Sequence, residues 1–255
     1  MFLGGLGFFT LYESFEYFTD WNSTKPHHFS LQSKIILYGA LIGISVTALL
    51  VYFLEHNHAF ILLSPVEKVL TSIFQAVAFR STGLLTLPMA NLHLATLFLI
   101  MVVGFIGSAP GSTGSGVRTT TMAIYFGVVK AAIEGHTSIH LLHRRIARDQ
   151  INKAIAIISL SIFWVVITIF CLLIIEPNWR FLDVVFEAVC AFTNLGLSTG
   201  ITAYLSTLGK VLIILSMIFG RIGSLTLILA IRKIAMRKEA KPIEIMYPEE
   251  RIMLS

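Results

Sequence analysis

The chain contains one unit twice. The unit is a long apolar segment, a shorter amphipathic run that starts at a proline, a glycine-bearing polar stretch, and a second apolar segment. The short runs occupy residues 65–79 and 177–192. Pro65 and Pro177 are 112 positions apart, as are Phe74 and Phe186 and the pairs Ala76-Val77 and Ala188-Val189. One inserted residue later, Gly83-Leu84 matches Gly196-Leu197 and Thr86 matches Thr199. Agreement in such detail marks a duplicated structural unit, at a period far above that of solenoid repeats.

The apolar segments around the short runs cover residues 35–54, 92–107, 154–175 and 208–231. Crossing a bilayer takes roughly 20 apolar residues at about 1.5 Å each. The second segment is short, but residues 119–132 are apolar again after a Gly/Ser/Thr-rich interruption, so one long, broken helix is expected there. The short runs, at about 15 residues, do not span. Hydrophobic residues make up 56% of the 255 positions and charged residues 13%, with a mean hydropathy of +0.82, a balance that excludes a soluble domain with a solvated surface. The net charge of +5 sits between apolar segments rather than on one face. Lys130, Arg144, Arg145, Arg148 and Lys153 share one connection, and Arg232, Lys233, Arg237, Lys238 and Lys241 share the tail. Positive charge in loops marks the cytoplasmic side, which argues against nucleic-acid binding. The glycine stretches carry near-balanced charge and are expected to re-enter from outside.

Irregular backbone at membrane depth is tolerated only where protein buries it or where it lines a water-filled cavity. Two re-entrant loops therefore imply a pore. A short helix entering from outside aims its partly negative C-terminus at the membrane centre, and glycine lets consecutive carbonyls turn toward one axis and replace an ion's hydration shell. The pattern is that of a cation filter. No Walker motif, GxSxG or metal-ligand spacing points to an enzyme. Cys171 and Cys190 read as small core residues. His136, His140 and His143 read as a solvated face rather than a metal site. The opening MFLGGLGFF lacks the features of a signal peptide and is expected to be the end of a membrane helix whose beginning lies upstream.

The repeated unit resembles the membrane-pore-membrane repeat of the Ktr/Trk/HKT potassium transporters. The resemblance extends from MFLGGLGFF, similar to the end of the family's second repeat, to Tyr247, Pro248, Glu249, Glu250 and Arg251, similar to its bacterial C-terminal tail. It covers nearly the whole chain but half of the family's fold. It implies an all-α integral membrane protein, with two membrane-pore-loop-membrane repeats, re-entrant pore helices and filter loops. The expected divisions are the end of a preceding repeat with a cytoplasmic linker (1–33), a third-type pore repeat with a broken second span (34–134), and a cytoplasmic loop (135–153). A fourth-type pore repeat (154–235) and a cytoplasmic tail (236–255) follow.

Residue by residue, the resemblance makes Ser81, Thr82, Gly83 and Leu84 one filter strand and Asn194, Leu195, Gly196 and Leu197 another, with K⁺ held at Thr82, Gly83, Leu195 and Gly196. Leu84 stands where the family's third repeat often has an aromatic residue, and Asn194 where the fourth often has Thr. The interruption GSAPGSTGSG, residues 107–116, holds Pro110 with Gly107, Gly111, Gly114 and Gly116, which cannot continue a helix. It resembles the family's intramembrane gating loop, with gate residues Gly111, Ser112, Thr113, Gly114, Ser115 and Gly116. Arg221, an arginine in an apolar span, resembles the residue that contacts that loop. Thr119, Thr120 and Thr121 are expected to cap the resumed helix or line the pore, Arg80 to pair locally, and Glu187 to be structural.

The implied function is K⁺ transport across the plasma membrane, with Na⁺ coupling open and no cofactor. The implied partners are a second copy in a homodimer, a cytoplasmic nucleotide-binding regulatory subunit of the KtrA/TrkA type, and the lipid bilayer. Two other readings stay open: a truncated, non-conducting or regulatory membrane fragment, and a transporter of another substrate with discontinuous helices, whose half-helix N-termini would point at that substrate.

Overall fold

The computed structural model describes residues 1–19, 29–80, 82–89, 92–136, 138–142, 144–223 and 226. Ser81, His143, residues 224–225 and 227–235 of the last span, and the tail 236–255 with its Tyr247 to Arg251 motif lie outside the described residues.

Among the described residues two helices are long and apolar enough to cross a membrane, α3 (Leu31–Glu55) and α7 (Arg148–Ile175). They are preceded by α1 (Phe2–Leu6) and α2 (Phe8–Thr19), which break at Gly7. Between them come α4 (Pro65–Ala78), α5 (Leu94–Phe105) and α6 (Thr119–Ile133), and after them α8 (Phe181–Thr193) and α9 (Thr207–Ile222). The lateral faces of α3 and α7 are apolar and exposed, with Leu41, Leu49 and Phe53 on one and Phe163, Phe170 and Ile174 on the other. Their inward faces carry buried Thr47, Ser161 and Thr168. This distribution, apolar outside and small polar inside, suits a lipid surround. The hydroxyls of Ser161 and Thr168 need no distant partner, because each donates to the carbonyl one turn back, Ile157 at 2.7 Å and Trp164 at 2.9 Å.

The broken helix of the sequence is present as α5 and α6, separated by residues 106–118. Each short run is a helix ending in a loop, but the two begin differently. Ser64 caps α4, its side chain accepting from Glu67 N while Glu67 returns a bond to the Ser64 backbone, and Pro65 fills the first turn. Pro177 does not start α8: it sits in a turn, and the helix begins four residues later after Arg180. Aligned prolines thus have different local roles. The connection after α6 holds a two-stranded hairpin, β1 (His140–Leu141) with β2 (Arg144–Arg145), which the sequence did not suggest. His140 lies in that strand, bonded to Ser138 at 2.9 Å, and His136 in the preceding turn approaches Glu134, so the two share no helix face.

The main core joins the ends of α4 and α8 to α5. Phe79, Ile100, Phe186, Phe192 and Leu195 are all fully buried there, and Cys190 lies among them. Helix α8 packs on α5, α7 and α9 and is buried without interruption from Phe186 to Thr193. Its final residues are therefore held from several sides.

Candidate functional site

Both repeated loops turn on a glycine in the left-handed region, Gly83 at φ 67° and Gly196 at φ 77°, a conformation that costs a residue with a Cβ about 1–2 kcal/mol. The two glycines meet. A Cβ on Gly83 would lie 3.1 Å from the Gly196 carbonyl oxygen and 3.3 Å from that of Leu195, and a Cβ on Gly196 would lie 3.1 Å from Gly83 Cα. The carbonyls of Leu195 and Gly196 thus stand beside Gly83 with no side chain between. Thr82 donates from Oγ1 to Ala78 O at 3.0 Å, and Thr193 from Oγ1 to Val189 O at 2.7 Å, so both hydroxyls turn back on their helices. Asn194 is also left-handed, at φ 49°, and its amide nitrogen donates to Met217 O of α9 at 3.0 Å. Leu195 and Leu197 bury their side chains, Leu195 against Gly104 of α5, whereas Leu84 is exposed.

A second pairing recurs in the repeats. Gln75 on α4 and Glu187 on α8 occupy equivalent positions, and both are buried. Gln75 Nε2 donates to Thr86 Oγ1 at 2.7 Å. Glu187 accepts from the Ser198 hydroxyl, from Thr199 N at 3.0 Å and from Thr202 Oγ1 at 2.6 Å. In each repeat, the side chain on the short helix grips the segment that follows the glycine.

The interruption between α5 and α6 is closely held. Its two ends are stitched across the break: Val117 N donates to Phe105 O at 3.2 Å, Thr119 N to Ser108 O at 3.2 Å, and Thr119 Oγ1 to Gly107 O at 2.9 Å. Thr119 therefore bridges the break rather than capping α6, whose cap residue is Arg118. Ser108, Ala109 and Ser115 are buried, Gly114 is buried, and Gly111 and Gly116 adopt left-handed φ of 74° and 79°. The first helices clamp the outer part of the loop. Ala109 N donates to Gly5 O at 3.1 Å, Thr113 N to Gly4 O at 3.3 Å, and Phe8 N to Gly111 O at 3.4 Å. Ser112 Oγ lies 2.8 Å from Ser108 Oγ. A loop so closely held is not a free linker.

Two arginines donate to the loop's carbonyls. Arg221, at the end of α9, donates to Thr113 O. Arg118 donates to Ala109 O at 3.3 Å and to Gly114 O. Arg221 is the arginine that the sequence singles out, and Arg118 carries no expectation there. The signal was nevertheless present, since a cation that follows a glycine-broken helix is well placed to satisfy its orphan carbonyls. Gly220 brings α9 onto the end of α8, where a Cβ would overlap the Phe192 carbonyl. Arg80 points to Thr119 Oγ1 at 3.5 Å and makes no ion pair among the described residues.

The chain matches the TrkH family model, described as a cation transport protein, over residues 1–240. It is 34% identical over 232 residues to the Ktr system potassium uptake protein B of Bacillus subtilis, covering 90% of this chain and 51% of that protein. It is 34% identical over 253 residues to the Ktr system potassium uptake protein D of the same organism, covering 98% of this chain and 54% of that protein. It is also 29% identical to the potassium/sodium uptake protein NtpJ of Enterococcus hirae over 98% of this chain and 54% of that protein. Among solved structures, the potassium transporter TrkH of Vibrio parahaemolyticus shares the fold with a TM-score of 0.71 at 18% identity, over 90% of this chain and 49% of that one. The chain spans about half the length of the relatives it matches.

Proposed function

The chain belongs to the TrkH family of cation transport proteins, a membrane transporter family and not one of enzymes, and from that premise we propose that it supplies two filter strands and the gating loop of a potassium pore. The observation that carries the reading is the contact of Gly83 with Gly196, two left-handed glycines at the ends of two short helices with their backbones side by side. Helix C-termini there favour a cation, and carbonyls unobstructed by side chains are what dehydrate K⁺. Thr82, Gly83, Leu195 and Gly196 hold the ion in this reading, with Ser81, Leu84, Asn194 and Leu197 completing the strands. The loop from Gly111 through Ser112, Thr113, Gly114 and Ser115 to Gly116, with Arg221, is the barrier beneath them.

In the cell membrane, α4 and α8 are re-entrant helices entering from outside, and the basic connection 130–153 and the tail face the cytoplasm. K⁺ is the cargo. Na⁺ is the second candidate ion, since one relative is named for both. A homodimer and a cytoplasmic nucleotide-binding regulatory subunit complete the proposal, and the naming of two relatives as proteins of a Ktr system supports a multi-component assembly. Expression of the complete reading frame in a bacterium lacking K⁺ uptake tests it. Restored growth at low K⁺ with K⁺ influx is expected, and normal membrane expression without influx would overturn the assignment.

A further inference from the structure

A cavity of about 470 Å³ opens between the N-terminal ends of α3 and α7, with α6 as its floor. Its inner wall is apolar, with buried Ile146 and Ala154 and half-buried Ile124 and Ile157. Its exposed rim is polar, formed by Gln32, Gln150 and Lys153. The segment 144–153, which contributes Ile146, Gln150 and Lys153 to the cavity, is positively charged. Arg144, Arg145, Arg148 and Lys153 fall within ten residues against the single carboxylate Asp149. All four cations are exposed, and none makes an ion pair among the described residues. Two long helices also begin here, and α7 has no side-chain cap, so helix dipoles and first-turn amides add to the positive potential.

An apolar slot with a cationic, hydrogen-bonding rim matches one occupant in particular. We propose that this cavity binds an anionic phospholipid of the inner leaflet, with an acyl chain along Ile124 and Ile157 and the phosphate at Lys153 and the start of α7. Basic residues at the cytoplasmic membrane surface attract anionic headgroups, each contributing modestly, while the slot supplies what a loose surface cation lacks. The floor gives the site a consequence. Thr120 and Thr121 line it, and they directly follow Thr119, whose hydroxyl holds the Gly107 carbonyl at the start of the interrupted segment. A bound chain therefore braces the helix that anchors the loop. This inference rests on the membrane placement of α3 and α7 and not on the identity of the ion.

Melting curves of the full chain in detergent, with dioleoylphosphatidylglycerol, dioleoylphosphatidylcholine or inorganic phosphate added, test the site without ion flux. Phosphatidylglycerol is expected to raise the melting temperature by several degrees more than phosphatidylcholine, because a ligand that binds only the folded state stabilises it. The Arg148→Gln/Lys153→Gln double variant should melt normally without lipid, lose that preference, and retain phosphatidylglycerol about tenfold less tightly in native mass spectrometry. Ala154→Leu, which narrows the slot, should weaken both lipids. Equal stabilisation by the two lipids, or a preference that survives the double variant, would overturn the proposal. An effect of inorganic phosphate alone would reduce the site to a simple anion patch and overturn it too. A cavity closed by a second copy, seen as a lipid-independent dimer that Ala154→Leu dissociates, would do the same.

Discussion

Gly83 and Gly196 face each other so closely that a Cβ on either would sit 3.1 Å from the other's backbone. Both also hold a left-handed φ, so a side chain at either position is penalised twice, by conformation and by contact. If these carbonyls hold the ion, Gly196→Ser and Gly83→Ala in the complete transporter are expected to reduce K⁺ over Na⁺ discrimination by about tenfold or more, since about 1.4 kcal/mol corresponds to one decade. Uptake of both ions in a K⁺-uptake-deficient bacterium measures this. Unchanged discrimination in both variants would remove the two glycines from the filter.

The carboxylate of Glu187 collects three donors from residues 198–202, and Gln75 makes one equivalent bond to Thr86. Leaving a buried donor without an acceptor costs about 1–3 kcal/mol, and because Ser198, Thr199 and Thr202 are half-buried the lower end applies to each. Glu187→Ala should therefore lower the melting temperature more than Gln75→Ala, and Glu187→Gln should fall between wild type and Glu187→Ala. Equal melting of the two alanine variants would show that Glu187 does not hold the loop.

Much of this arrangement was legible in the sequence, because the cues were local. Glycine and proline mark breaks wherever they fall, so the loop at residues 107–116 and the glycine turns at 83 and 196 followed from type and spacing alone. The 112-residue offset puts Gln75 and Glu187 at equivalent positions, but nothing in the residue types said that both would be buried and bonded. What was not legible has several causes. Pro177 aligns with Pro65, yet only Pro65 has Ser64 before it and Glu67 after it, and the capping box fixed where α4 begins. The role of Arg118 is set by the loop, which folds back and places the Ala109 and Gly114 carbonyls within its reach. The hairpin around Arg144 is short and polar, with no alternation to reveal it.

Glu176, just past the end of α7, gives a pH dependence away from the candidate site. Hydrogen bonds from Ser206, including its N–H at 2.6 Å, hold the carboxyl below its ordinary value of 4.5. A carboxylate with a depressed folded value stabilises above the unfolded value and loses that contribution as pH falls through the folded one. Wild type should therefore lose more melting temperature than Glu176→Gln between pH 7 and the acid side of 4.5. Parallel melting curves for the two proteins would show that the Ser206 contact contributes nothing.

Arg118 and Arg221 converge on the six residues 109–114, and their roles are separable by their partners. Arg221 holds Thr113, at the part of the loop that is exposed and also tied to Gly4. Arg118 holds Ala109 and Gly114, spanning the loop from one side to the other. Removing Arg221 frees one carbonyl whose residue keeps its N–H bond to Gly4. Removing Arg118 takes the donor from the buried Gly114 carbonyl, whereas the Ala109 carbonyl keeps Ser112 N at 3.2 Å and Ser112 Oγ at 2.6 Å. If the loop is a barrier, Arg221→Ala and deletion of residues 111–114 should each raise K⁺ flux without abolishing selectivity, because the glycine pair is untouched. Arg118→Ala should raise flux further and also lower the melting temperature. Arg118→Lys keeps the charge but not the planar guanidinium whose Nη1 donates to both carbonyls, and is expected to restore stability only in part. Membrane expression must be followed beside flux, since a variant that fails to insert also fails to conduct. Normal expression with unchanged or lower flux in the arginine variants and the deletion would make residues 107–116 a hinge rather than a gate.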